Sequence, residues 1–257
     1  MDLMTIVGLI LGAAAVYFVM LHGGVVHLLF NLDALILVLG GTVACTLIAY
    51  PWSIIKHAPK ALKLILFPPK NLQPEEVIKI VVGLAERARR NGIESLQNDI
   101  HTLNDKFLVN SVQMLIDGTE PDTVRDNLEK EIVCVRRRHQ KVGSIFRTMG
   151  TFAPIFGLLG TLIGVVQVLK NITDPQSMGA SMAIAITTTF YGIFGTNFIF
   201  LPAAVKLNEY SEEEILTKEL VIEGVISIQA GDLPLMVSKK LESFLSARLR
   251  EQALKKK

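Results

Sequence analysis

The sequence predicts an all-α integral membrane protein: four transmembrane helices, a helical cytoplasmic domain between spans two and three, and a helical cytoplasmic tail. Three observations carry this. Half of the 257 residues are hydrophobic and only 19% are charged, with a mean hydropathy of +0.43, a balance foreign to a soluble domain of this size. The charges are also segregated. Stretches 3–32, 34–55, 148–169 and 175–205 hold no Asp, Glu, Lys or Arg, and each can supply the roughly 20 apolar residues that cross about 30 Å of hydrocarbon. The segments between and after them are patterned as helices, without strand signals.

Spans are therefore expected near 3–21, 33–51, 146–169 and 179–203. The first is too long, and too poor in N-terminal basic residues, for a cleaved signal peptide. Lys56, Lys60, Lys63 and Lys70 follow span two, and Arg136, Arg137, Arg138, Lys141 and Arg147 precede span three. Loops 22–32 and 170–178 carry only Lys170 against Asp174. The positive-inside rule then places 52–145, 206–257 and both termini in the cytoplasm. Four regions follow: spans one and two (1–51), a cytoplasmic helical domain (52–145), spans three and four (146–205) and C-terminal helices (206–257). Cys45 in a span and Cys134 in the cytoplasm imply no disulfide framework.

Tyr50 and Trp52 close span two at interfacial depth. In "SIIKHAPKALKLILF" the lysines fall 4 and 3 apart on one helical face. That pattern fits an amphipathic element on anionic headgroups, and equally a span continuing inward with its lysines on the wet side. "NLQPEEVIKIVVGLAERARRNG" opens a helix with Pro74, Glu75 and Glu76 and closes it with Arg89, Arg90 and Asn91-Gly92. A shorter helix is expected over 93–101 and another over 105–116. "TEPDTVRDNLEKEIVCVRRRHQKVGSIF" has early acids, late bases and no breaker, so it runs into span three. One tail helix continues span four over 206–229. "AGDLP" breaks it, a second covers 235–250, and the "LKKK" end is expected to fray.

The chemistry gathers in spans three and four. In "APIFGLLGTLIGVV" and the residues before it, Gly150, Pro154, Gly157, Thr161 and Gly164 are spaced 4, 3, 4 and 3, one stripe of a helix. Glycines alone would make only a packing seam. Pro154, however, has no N–H for the carbonyl of Gly150, and a freed carbonyl in hydrocarbon needs a partner helix, water or a cavity. Thr161 adds a hydroxyl two turns along. Span four matches this with Ala185, Thr189, Gly192 and Thr196 at 4, 3 and 4, followed by Asn197 and Pro202. A lone Thr commonly back-bonds to its own helix, but the run Thr187-Thr188-Thr189 facing a like stripe points to a polar seam lined by both spans.

No Asp or Glu lies in the charge-free stretches, yet moving H⁺ or Na⁺ normally takes a carboxylate at membrane depth. Either the chain conducts nothing or another chain supplies that group. His22 and His27 are five apart, off a common face, and are taken as solvated loop residues. No nucleophile–base pair, zinc spacing or phosphate-cradling loop supports an enzyme. Basic and acidic cytoplasmic residues nearly balance, so nothing signals nucleic acid.

With "APIFGLLGTLIGVV", "MGASMAIAITTTFYGIFGTNFIFLP", "ARRNGIESLQNDI" and "VIEGVISIQAGDLP", the sequence resembles the A subunit of bacterial flagellar stators, the MotA/PomA family, over essentially its whole length. The resemblance implies a pentameric ring around a dimer of a single-span B subunit, MotB/PomB-like, whose aspartate carries the ion, in the bacterial inner membrane. Pro154 and Pro202 match the family's two functionally important prolines, and Thr189 its fourth-span threonine. Thr161 stands where sodium-driven members have threonine and proton-driven ones alanine. The resemblance thus implies Na⁺ as transported ion, with H⁺ the alternative, bound by Thr161 and Thr189 with the partner's aspartate. Gly157, Thr188 and Thr196 join Thr161, Thr189, Pro154 and Pro202 in the expected ion pathway; no cofactor is implied. Arg89, with Arg90 beside it, matches the basic position that engages a cytoplasmic, FliG-like rotor protein. Gln97 stands at the matching acidic position, and Glu94 or Asp99 are the substitutes at hand. The alternatives are a proton-driven stator and an ExbB/TolQ-like energising subunit; four spans favour the stator.

Overall fold

The computed structural model describes residues 3–24, 26–68, 72–170 and 172–245, and of His27, Leu28 and Gln176 the backbone alone. Lys70, the His27 side chain, the expected helix over 246–250 and the "LKKK" end lie outside the described residues. Among the described residues every regular element is helical. Helix α1 is Leu3–His22, α2 Leu32–Ala49, α3 Ala58–Leu66, α4 Pro74–Asn91, α5 Lys106–Ile116 and α6 Pro121–Lys170. Helix α7 runs from Pro175–Phe194 through the wide turn Gly195–Phe200 into Leu201–Gln229, and α8 is Pro234–Glu242. Helices α1, α2, α6 and α7 are long and apolar enough to cross a membrane, at the four places the charge-free stretches predict.

The chain divides into two compact units: Met1–Pro69 with His139–Glu209, the membrane unit, and Lys70–Arg138 with Tyr210–Lys257, the insert–tail unit. In the membrane unit, Asn31 Oδ1 caps α2 by accepting from the N–H of Ala34 at 2.9 Å. Asp33, exposed in the first turn, faces the positive end of the helix dipole. The backbone turns extended at Tyr50 (φ −123°, ψ 140°), and Pro51 has no N–H with which to resume the ladder. The lysine-rich stretch is therefore not a continuation of span two. It forms the separate α3, which buries Ala61 and Ile65 beside Phe146, Ala203, Ala204 and Leu207 and leaves Lys60 and Lys63 exposed, as is Lys56 just before it.

Span two also holds a wide turn at Ile36–Gly40. Just after it a Cβ on Gly41 would collide with the Phe156 ring, so the missing side chain lets that ring of α6 lie against the α2 backbone. Two hydroxyls, Thr42 to Val38 O at 2.6 Å and Thr46 to Thr42 O at 2.7 Å, are spent on their own helix. Between helices, the hydroxyls of Tyr50 and Thr148 meet at 2.8 Å, and Tyr191 donates to the Leu29 carbonyl at 2.5 Å. Both cysteines are free.

In the insert–tail unit, α4 starts at a capping box made by Gln73 and Glu76, with Pro74 in the first turn, and stops at Gly92, whose φ of 82° only glycine takes without strain. The segment after it, expected as one helix over 93–101, is helical but wound as two tight 3₁₀ pieces, Ile93–Asn98 and Ile100–Thr102. Ser95 and Thr102 each donate to the carbonyl three residues back, at 2.6 and 2.7 Å, which favours this winding over an α turn. The core joins Val77, Val81 and Leu84 of α4, Phe107, Leu108 and Val112 of α5, Val124 and Leu128 of α6, Leu220 and Val225 of α7, and Val237 and Leu241 of α8. The last helix is shorter than the expected 235–250, since α8 ends at Glu242 and Ser243 folds back to donate to the Lys240 carbonyl at 2.6 Å.

Glu223 ties three helices of this unit, accepting from Arg125 of α6 at 3.1 Å and pairing with Lys240 of α8. Burial alone would raise its carboxyl, but the Lys240 ammonium and Arg125 guanidinium outweigh that and hold it below the usual carboxylate range. A carboxyl lowered by folding stabilises the fold above its unfolded pKa, and that contribution is lost as pH falls through the folded value. Glu223→Gln should therefore cost about 1 kcal/mol at neutral pH, because solvent screens the half-exposed Arg125 and Lys240. It should also remove part of the stability loss below the usual carboxylate range. Thermal melts of the purified protein across that acid range, wild type against variant, check both; parallel pH profiles would contradict the assignment.

Candidate ion site between the third and fourth spans

Antiparallel packing of α6 and α7 brings the two predicted stripes face to face. A Cβ on Gly157 would stand 3.0 Å from Thr188 O and 3.2 Å from Thr189 Cα, and one on Gly192 would stand 2.6 Å from Ala153 O. One on Gly160 would meet the Thr188 side chain at 2.5 Å, and one on Gly164 the Ala185 Cβ at the same distance. Backbones this close need small residues on both helices. Gly160 was absent from the predicted stripe. Its signal is the run Gly157, Gly160, Gly164, which widens the stripe by one column.

Close approach delivers two hydroxyls to one point. The Oγ1 atoms of Thr161 and Thr189 are hydrogen-bonded to each other. Thr161 Oγ1 lies 3.1 Å from Gly157 O and 3.2 Å from Ala185 O, and Thr189 Oγ1 lies 3.3 Å from Gly157 O. Four oxygens from two helices thus converge, the Ala185 carbonyl also accepting from the Thr188 hydroxyl. Such a cluster suits a small cation that must trade its hydration shell for oxygen ligands. Both threonines are half-buried, at the edge of the seam.

The other threonines of the run do different work. Thr188 is fully buried and donates to Ala185 O at 2.8 Å, and Thr187 donates to Ala183 O at 2.7 Å. The structure does not bring Thr196 to the Thr161–Thr189 pair. Its hydroxyl donates at 3.0 Å to the Gly150 carbonyl, the one that Pro154 leaves without an i+4 N–H. Pro202 follows the wide turn Gly195–Phe200, in which the Leu201 N–H reaches Thr196 O, five residues back. A proline ring crowds the carbonyl four residues earlier, here Phe198, and an inserted residue relieves that crowding.

In the insert–tail unit Arg89, Arg90, Glu94 and Gln97 are exposed around the end of α4 and the first 3₁₀ turn. Asp99 differs from them. It forms an ion pair with Arg87 and its side chain is 14% exposed, so its charge is spent inside the unit and Glu94 is the exposed acid of this cluster.

Four apolar helices and a two-helix seam of glycines and hydroxyl oxygens, lacking a carboxylate of its own, define a polytopic membrane subunit with a polar seam between two of its spans. Residues 99–220 match the MotA/TolQ/ExbB proton channel family. Chemotaxis protein PomA of Vibrio alginolyticus is 34% identical over 96% of each chain. Motility protein A of Treponema pallidum is 32% identical over 98% of this chain and 97% of its own. Among solved structures, the chain resembles C. jejuni MotAB (TM-score 0.90, 27% identity, 96% of this chain and 97% of that one). It also resembles the flagellar MotAB stator complex of Bacillus subtilis (TM-score 0.85, 32% identity, 94% and 97%). The chain belongs to this family, and within it to the motility protein A group of flagellar stator subunits.

Proposed function

We propose that this chain, as a ring of copies around a dimeric single-span B subunit in the bacterial inner membrane, couples inward Na⁺ flow to torque on the flagellar rotor. The observation that carries the reading is the meeting of Thr161 and Thr189 with the carbonyls of Gly157 and Ala185. These oxygens offer neutral ligands at membrane depth, and an aspartate of the B subunit completes the set with the charge this chain lacks. Na⁺ enters beside Thr161 and Thr189 and neutralises that aspartate. The contacts between dimer and ring then differ between the occupied and empty states, which a cation can exploit only through such differential contacts. The ring advances as occupancy passes from copy to copy, five in the assembly the family resemblance implies.

The insert, the tail and both termini lie in the cytoplasm in this reading, where the exposed Arg89, Arg90, Glu94 and Gln97 meet a FliG-like rotor protein. Asp99 serves there by holding Arg87. Lys56, Lys60 and Lys63, exposed beside the spans, contact anionic lipid headgroups. Co-expressed with its B subunit in a host without stators, the chain should drive swimming whose speed rises with external Na⁺ and saturates. A speed set by the proton gradient alone would assign H⁺ instead, and an assembled complex that turns no rotor would sink the torque reading.

A further inference from the structure

Thr196 and Gly150 face each other where the two prolines act, and neither belongs to the oxygen cluster around Thr161. Pro154 removes the N–H that would have bonded to the Gly150 carbonyl, and the buried Thr196 hydroxyl takes that place at 3.0 Å from the neighbouring helix. The direction in which Thr196 points is itself set by the second proline. Thr196 lies in the wide turn that precedes Pro202, and its own carbonyl accepts from the Leu201 N–H in the i+5 pattern. Closing that turn to an ordinary α turn would remove one residue's worth of winding. Thr196 would then swing roughly 100° about the helix axis relative to the segment from Leu201 onward, and off the Gly150 carbonyl.

We infer that Thr196 is a positioning residue that joins Pro154 and Pro202 into one coupled unit: the wide turn before Pro202 aims the hydroxyl that satisfies the carbonyl Pro154 has orphaned. Tight approach makes the coupling stiff, because Gly192, one turn before Thr196, lies against the Ala153 carbonyl and Pro154 Cα with no side chain between. A shift of either helix at its proline is therefore felt at the other as a hydrogen bond made or lost. At the proline end of the seam this contact adds to the backbone approach at Gly192 in holding spans three and four together.

The test is a double-mutant cycle in the full chain co-expressed with its B subunit. Thr196→Val keeps the shape and loses the donor; Thr196→Ser keeps the donor. Pro154→Ala returns an N–H to the Gly150 carbonyl and makes the donor redundant. Thr196→Val should lower the melting temperature of the purified complex, by the equivalent of about a threefold shift in the folded population, a usual size for such a bond between membrane helices. It should also slow rotation under load, while Thr196→Ser preserves both. In the Pro154→Ala background Thr196→Val should cost nothing further in melting temperature. An equal cost in both backgrounds, or a serine variant as impaired as the valine one, would overturn the inference. If Thr196→Val alone fails to assemble, recovery of assembly in the Pro154→Ala background supports it and continued failure overturns it.

Discussion

Thr189→Val is expected to stop ion-driven rotation while the complex still assembles. The substitution keeps the volume and removes the oxygen that bonds Thr161 and reaches Gly157 O across the helix pair. Losing one polar partner in this half-buried site costs about 1–3 kcal/mol, roughly a 10- to 100-fold loss in affinity for an ion that needs every ligand. Thr161→Ala removes the facing oxygen, and its expected outcome is different in kind. It creates the alanine that the family resemblance associates with proton-driven members, so residual rotation should become indifferent to Na⁺ rather than vanish. The checks are rotation speed and sodium uptake for both variants, with complex abundance measured in the same cells. Full sodium-dependent speed in Thr189→Val would remove that hydroxyl from the pathway.

Gly192→Ala is expected to damage the protein more than its single added carbon would elsewhere. The new Cβ would lie 2.6 Å from the Ala153 carbonyl oxygen and 3.1 Å from Pro154 Cα. Both obstacles are backbone, so no side chain can rotate away and the helices must part. Overpacking of this kind costs about 1–3 kcal/mol. Parting α6 from α7 also separates Thr161 from Thr189 and Thr196 from Gly150, so rotation should fall by more than the stability loss alone would produce. Gly143→Ala in the same α6 is the control. Its Cβ meets nothing within 4 Å, and alanine favours a helix over glycine by about 1 kcal/mol. A complex in which Gly192→Ala melts and turns like Gly143→Ala would show that the seam has room for a methyl group at Gly192.

Most of this architecture was legible because membrane helices advertise themselves through the absence of charge, and the seam because small residues recur at helical spacing. Pro154 even announced that the Gly150 carbonyl would need a partner helix, water or a cavity. What could not be seen was the register of one stripe against the other. That register makes Thr161 meet Thr189 and gives Gly150 to Thr196, and it is fixed by backbone contact at Gly192 and Gly157. The wide turns at Ile36–Gly40 and Gly195–Phe200 were hidden for the same reason, since one inserted residue leaves no compositional trace. The 3₁₀ winding after Gly92 and the Arg87–Asp99 pair arise between residues that local periodicity does not relate. Asp99 therefore stood among the substitutes for the acidic position that the resemblance implies, and it is engaged in the fold.

The central claim is that Thr161 and Thr189 make this a sodium site. Its most direct test is the rotation speed of single motors carrying this chain and its B subunit, as external Na⁺ is exchanged for K⁺ at constant proton motive force. Speed that falls towards zero without Na⁺ in the wild type, and loses that dependence in Thr161→Ala, is the predicted result. Speed that stays constant across the exchange in the wild type would contradict it.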